Sequence, residues 1–122
     1  MASILYIWHH RYMDQINALA ALSALSQVTR LDTFQLLVRH EPEGLPAGEV
    51  ARQLDVPQNT MSAHLSTLAR AGLVVSERHS RSIVYRADLD QLRALMLFLA
   101  KDCCGGNPAL CAPLVADLTP CC

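Results

Sequence analysis

Cysteine is missing from the chain as far as Asp102; all five Cys residues, Cys103, Cys104, Cys111, Cys121 and Cys122, stand in the last 20 residues. A disulfide framework staples distant parts of a chain, and this set can tie the tail only to itself. Clustered thiols of that kind suit a soft metal or metalloid better than a structural bridge. Aromatic residues are scarce, at 5%, so the core must be aliphatic. The formal net charge of -1 excludes a strongly basic nucleic-acid binder at the level of the whole chain. No run reaches the roughly 18 apolar residues that cross a membrane. Met1 to Trp8 are apolar but lack a basic start and a small-residue cleavage site, so no secretory signal is read and a cytoplasmic protein is expected. No Cys–His–carboxylate pairing and no nucleotide-binding loop occurs, which argues against an enzyme and leaves no catalytic residue to name.

What the chain does have is 52% hydrophobic residues over 122 positions, enough for one domain with one core. Leu and Ala dominate, which favours helix. Charge is uneven. Residues 46–86 carry Arg52, Arg70, Arg78, Arg81 and Arg86 against Glu49, Asp55 and Glu77, whereas the flanks are acidic on balance. A basic middle meets DNA phosphates locally whatever the total charge.

Periodicity organises residues 13–104. Ile16, Leu19, Ala20, Leu22 and Leu25, then Val28, Leu31, Phe34, Leu36 and Leu37, fall at helical spacing, with Ser26 read as the N-cap between two helices. Glu41-Pro42-Glu43-Gly44 ends the second helix. A third helix is predicted over Ala47 to Leu54, then a tight Asp55-Val56-Pro57 connection. A fourth runs from Pro57 through Met61, Leu65 and Leu68 to Ala71, closed by Gly72. Two short helices so joined form a helix-turn-helix. The period then changes, and a hairpin is predicted pairing 74–78 with 82–86. A hairpin after a helix-turn-helix is the wing of a winged helix. Asp88 caps a last helix whose seam is Leu89, Leu92, Met96, Leu99 and Cys103, with Leu95 beside it. The fold class expected is mainly α with a small β-hairpin, a winged helix-turn-helix in the order α-α-α-α-β-β-α, homodimeric through the first and last helices. Residues 1–12 are set apart as an N-terminal extension, and residues 105–122, with three Pro, as an irregular Cys-containing tail.

The stretch from Gly48 to Val74, above all Ser62-Ala63-His64-Leu65 followed by Leu68 and Ala71-Gly72-Leu73-Val74, resembles the helix-turn-helix of the ArsR/SmtB repressors. Ala24-Leu25-Ser26 with Arg30-Leu31 resembles the start of that family's second helix, and Tyr85-Arg86 the end of its wing. The likeness extends over about residues 14–104. It implies a homodimer that sits on operator DNA, expected as an inverted repeat, and is released when an effector binds. Two effector positions of the family are not matched. Glu49 to Leu54 holds no Cys-x-Cys pair, and no His follows His79 to build a zinc site on the last helix. The segment Cys103-Cys104-Gly105-Gly106-Asn107-Pro108-Ala109-Leu110-Cys111 instead resembles the Cys-Cys…Cys segment of a subgroup of arsenic responders.

The chemistry agrees with that resemblance. Trivalent arsenic or antimony is soft and takes three thiolates in a pyramid. Neighbours on a regular helix point about 100° apart, so Cys103 and Cys104 share an ion only at a frayed end. Gly105-Gly106 supplies the freedom, and Pro108 helps return Cys111. Cys103, Cys104 and Cys111 are the expected effector ligands. Zinc or cadmium, with Cys121 or Cys122 as a fourth ligand, is the alternative; a thiol-redox switch at the vicinal pair is another, and a thiol redox enzyme or a winged-helix protein-interaction module is a remoter one. For DNA, Gln58, Asn59, Thr60, Ser62 and His64 form the polar face of the fourth helix, and Arg78 and Arg81 flank the wing turn, where they meet phosphate or minor groove.

Overall fold

The computed structural model describes residues 13–100 and 108–118. Helix α1 (Gln15–Leu25) is followed by α2 (Val28–Arg39), a short strand β1 (Leu45–Pro46), α3 (Ala47–Leu54) and α4 (Gln58–Arg70). Strands β2 (Val74–His79) and β3 (Ser82–Ala87) come next, then α5 (Leu89–Ala100) and α6 (Pro108–Leu118). The fold is a winged helix-turn-helix: helices around an aliphatic core, with a three-stranded antiparallel sheet in the order β1-β3-β2 on one side. Among the described residues, no helix is long and apolar enough to cross a membrane.

The helix-turn-helix is closed by local chemistry at both ends. Asp55 takes a left-handed conformation (φ 54°), and the Val56 N–H donates to the Ala51 carbonyl at 3.0 Å, ending α3. A short polar side chain tolerates that conformation better than most. Gly72 does the same for α4: its φ is 81°, and Leu73 N–H reaches the Leu68 carbonyl at 3.0 Å. Gly72 is also tightly packed, since a Cβ there would come within 3.0 Å of the Gln91 amide on α5. Asp88 caps α5 as expected, its carboxylate accepting from Gln91 N–H at 3.1 Å.

The core runs from Phe34, Leu36 and Leu37 on α2 through Val50 on α3 to Met61, Leu65 and Leu68 on α4, and closes on Leu73, Val74, Ala87 and Leu95. α1 contributes Ala18, Ala21 and Ala24 to its buried centre, with Leu25 packed against its edge, while Ile16, Leu19 and Leu22 face outward. Small side chains at that spacing let α1 lie close against the core and leave its larger residues on the far side.

Four sequence expectations are corrected. Gln27, not Ser26, caps α2, its amide oxygen accepting from Arg30 N–H at 2.8 Å; Ser26 closes α1 instead. The hairpin extends one residue further on each strand, with His79 opposite Ser82 and Val74 opposite Ala87. Leu45 and Pro46 add a third strand, paired with Tyr85 and Val84. It is too short to show an alternating pattern, and Gly44 (φ 74°) lies so close to β3 that a Cβ would sit 2.5 Å from the Tyr85 carbonyl. Finally, the tail is not irregular over 108–118 but helical, with Pro108 in the first turn, where a missing N–H costs nothing, and Pro113 tolerated inside.

Leu65 is fully buried at the centre of this core. Leu65→Ala should therefore destabilise the fold by about 2–5 kcal/mol, measured by chemical denaturation, whereas Ser66→Ala on the exposed side of the same helix should leave stability nearly unchanged.

Candidate nucleic-acid interface

Burial decides which way α4 faces. With Met61, Leu65 and Leu68 inward, the advance of about 100° per residue carries Asn59, Ser62, Ala63, Ser66 and Arg70 to the opposite, exposed side. Of the residues expected to read DNA, Gln58, Asn59, Thr60 and Ser62 are exposed in the first turns of α4. Asn59 Oδ1 accepts from Thr60 N–H at 3.0 Å, and the Gln58 amide lies beside Gly48 of α3. No acidic side chain stands in the first turn of α4 to repel phosphate.

His64 is placed differently. It is half-buried on the flank of α4 that meets α2, and its Nδ1 lies 3.5 Å from Arg30 Nη1. Ser66 and Arg70 were missed by the sequence reading and stand on the outward strip, at the i+4 and i+8 positions from Ser62. The signal was available: extending the helical period outward from Asn59 leads to Ala63, Ser66 and Arg70.

The arginines of the basic middle divide into two sets. Arg52 is held by Glu49 on α3, Nε to Oε2 at 2.9 Å. Hydrogen bonds from Arg52 and Gln53 bring the Glu49 carboxyl down to about 2. Arg86 is clamped between two carboxylates: Nε and Nη2 donate to Glu41 at 2.9 Å each, and Nη1 to Glu77 at 2.6 Å. These bonds raise the Arg86 pKa further and, on Glu77, the Arg86 hydrogen bond followed by that of His79 holds the carboxyl below its ordinary value. The clamp ties both strands of the wing to the loop after α2. Arg70, Arg78 and Arg81 make no ion pair among the described residues, and all three are exposed. Arg81 sits in the two-residue wing turn after Ser80, whose φ of 59° is the positive value that such a turn requires at its first position.

Of the expected effector ligands, Cys103 and Cys104 lie outside the described residues, as do Cys121 and Cys122; Cys111 stands in the first turn of α6. Among the described residues no three His, Cys, Asp or Glu groups come together in a metal-binding cluster. A shallow cleft bordered by Glu41, Arg86, Asp88 and Asp90 is already consumed by the Arg86 clamp and the α5 cap.

A family model described as a helix-turn-helix domain matches residues 25–77, the segment from the end of α1 into the wing. The chain is 28% identical over 94 residues to the transcriptional activator HlyU of Vibrio cholerae, covering 77% of this chain and 84% of HlyU. It resembles the solved structure of an ArsR-like transcriptional regulator from Rhodococcus sp. RHA1, with a TM-score of 0.66 at 27% identity, over 80% of this chain and 89% of that one. The transcriptional repressor BigR from Xylella fastidiosa is similar too, with a TM-score of 0.51 at 29% identity, over 66% of this chain and 81% of its own.

The Glu77 clamp sets a pH test. A carboxylate whose folded pKa is depressed contributes stability above its ordinary value of 4.5 and loses it as pH falls through the lower folded value. Glu77→Gln should lower the melting temperature at neutral pH, and the gap to the parent chain should close on acidification below that value, followed by circular dichroism across the pH series. Taken together, the fold and the helix-turn-helix match make this chain a winged helix-turn-helix protein, similar to transcriptional regulators that include HlyU and an ArsR-like regulator.

Proposed function

We propose that the chain is a homodimeric repressor that binds an inverted-repeat operator through α4 and the wing, and that trivalent arsenic or antimony on Cys103, Cys104 and Cys111 releases it. The observation that carries the DNA-binding half is the outward strip of α4, polar and free of acids, flanked by three arginines without carboxylate partners among the described residues. Side-chain amides and hydroxyls read base edges, and the wing arginines hold backbone.

Dimerisation is supported by what faces outward on α1 and α5. Ile16 is 77% exposed, Leu19 58% and Leu99 55%, with Leu89 and Met96 also open. Leu95 is the buried residue of α5, and Leu92 of the expected seam packs partly against the core instead, so of that seam Leu89, Met96 and Leu99 look away from the core. Helices apolar on their outer face bury it against a partner, and a two-fold dimer presents two copies of α4 to successive major grooves about one helical turn apart.

The effector reading rests on donor chemistry. A vicinal thiol pair and a third thiol across a Gly-Gly-Asn-Pro link match the three-sulfur preference of a trivalent metalloid. The thiols follow α5 directly in sequence, so gathering them changes the end of a helix that carries the proposed seam. A tenfold loss of DNA affinity needs only about 1.4 kcal/mol between the two states.

The DNA half is tested on a duplex selected by the chain from a random library. Gln58→Ala with Ser62→Ala should relax sequence preference, whereas Arg81→Ala should weaken all duplexes alike and reduce the salt slope by about one. Unchanged selectivity in the double variant would put a different surface in the groove. For the effector, serine at Cys103, Cys104 or Cys111 should abolish arsenite release and leave DNA binding intact, while serine at both Cys121 and Cys122 should leave release largely intact. Release that survives Cys111→Ser but not loss of the terminal pair would sink the assignment, as would X-ray absorption showing oxygen rather than sulfur around the bound arsenic.

A further inference from the structure

Two polar contacts join α2 to α4, and they lie in register. Arg30 Nη1 is 3.5 Å from His64 Nδ1, and one turn along, Thr33 Oγ1 lies 3.5 Å from Met61 Sδ. The pairs 30/64 and 33/61 run in opposite directions along the two helices. Thr33 is completely buried, and its hydroxyl also lies 2.7 Å from the Thr29 carbonyl of its own helix, so it belongs to the core. Arg30 reaches further. Its Nε donates to the Ala24 carbonyl in the last turn of α1 at 2.7 Å, and its backbone N–H is held by the Gln27 cap at 2.8 Å. The last turn of α1 contains no basic residue of its own, so the arginine of the following helix supplies the positive charge that a helix C-terminus favours.

One guanidinium therefore touches the end of α1 and the flank of α4. The face of α1 opposite its buried alanines carries Ile16, Leu19 and Leu22, the surface assigned above to the partner subunit. A planar guanidinium presents its donors in a fixed fork, so its two contacts cannot adjust independently. A shift of the α1 end displaces the donor that faces His64, and His64 moves with α4.

We propose that Arg30 is a positioning residue for DNA binding: it contacts no DNA, and through His64 it sets the placement of α4 relative to the end of α1, so that changes at the dimer helix reach the reading helix. In this arrangement His64 Nδ1 serves as the partner of Arg30 rather than as a base reader. The inference rests on the proposed function, in which α4 is the DNA-reading helix and α1 lies at the dimer seam.

The test is a double-mutant cycle on the full chain, using the duplex that the parent chain selects from a random library. Arg30→Met and His64→Phe should each weaken binding about tenfold, and the double variant should be no weaker than about tenfold, the non-additivity of residues in one network. His64→Gln, which keeps an acceptor, should bind within about threefold of the parent. The dependence of affinity on salt should keep its slope in Arg30→Met, because no phosphate contact is lost; a slope smaller by about one would make Arg30 a phosphate ligand and overturn the proposal. Arg30→Lys, which retains a donor for the Ala24 carbonyl but not the fork, guards against loss of fold, and should lose affinity with an unchanged melting temperature. Additive losses, reaching about a hundredfold in the double variant, would mean that the two residues act separately and would overturn the relay alone. Failure of the parent chain to select any duplex would overturn the relay together with the DNA-reading assignment.

Discussion

Burial of Met61, Leu65 and Leu68 against α2 and the strands is the constraint on which the rest of the molecule depends. Three apolar residues at helical spacing leave one orientation for α4, because turning the helix would expose them and drive Asn59, Ser62 or Arg70 into an aliphatic core that has no partners for them. The outward face of α4 is thus a by-product of its inward one. Its chemistry is free to vary without cost to the fold.

The wing is held by charge where α4 is held by apolar packing. Arg86 bonds Glu41 and Glu77 together and ties the sheet to the loop after α2. These are partly solvated pairs, and their value lies in geometry: the arginine fork orients β3 while Arg78 and Arg81, beyond the clamp, remain available. Two kinds of arginine thus coexist in one hairpin, distinguished by whether a carboxylate is within reach.

α1 and α5 illustrate a third arrangement. The alanine side of α1 lets it approach the core closely, and Leu95 anchors α5, but the bulk of their apolar surface is directed away. Beside this packing, specific hydrogen bonds join both helices to the helix-turn-helix: Asp88 N–H to the Leu73 carbonyl at 2.8 Å for α5, and Arg30 Nε to the Ala24 carbonyl at 2.7 Å for α1.

Much of this was legible in the chain. The period of Met61, Leu65 and Leu68, the stop at Gly72, the change to a strand pattern and the Asp88 cap all act over a few residues, and local interactions of that range are written into neighbouring positions. The exposed placement of Gln58, Asn59, Thr60, Ser62, Arg78 and Arg81 followed from the same periodicity. Other features depended on groups distant in sequence. β1 exists because β3 lies beside it, and two residues carry no alternation of their own. Gln27 replaced Ser26 as the cap because both side chains are polar enough and only the backbone geometry chooses between them. The helix over 108–118 was obscured by its prolines, which the first turn tolerates at Pro108 and which composition alone reads as disorder. The roles of Arg86 and Arg30 were decided by tertiary structure, since residues of the same type differ only in the carboxylate, carbonyl or imidazole that the fold brings within hydrogen-bonding distance.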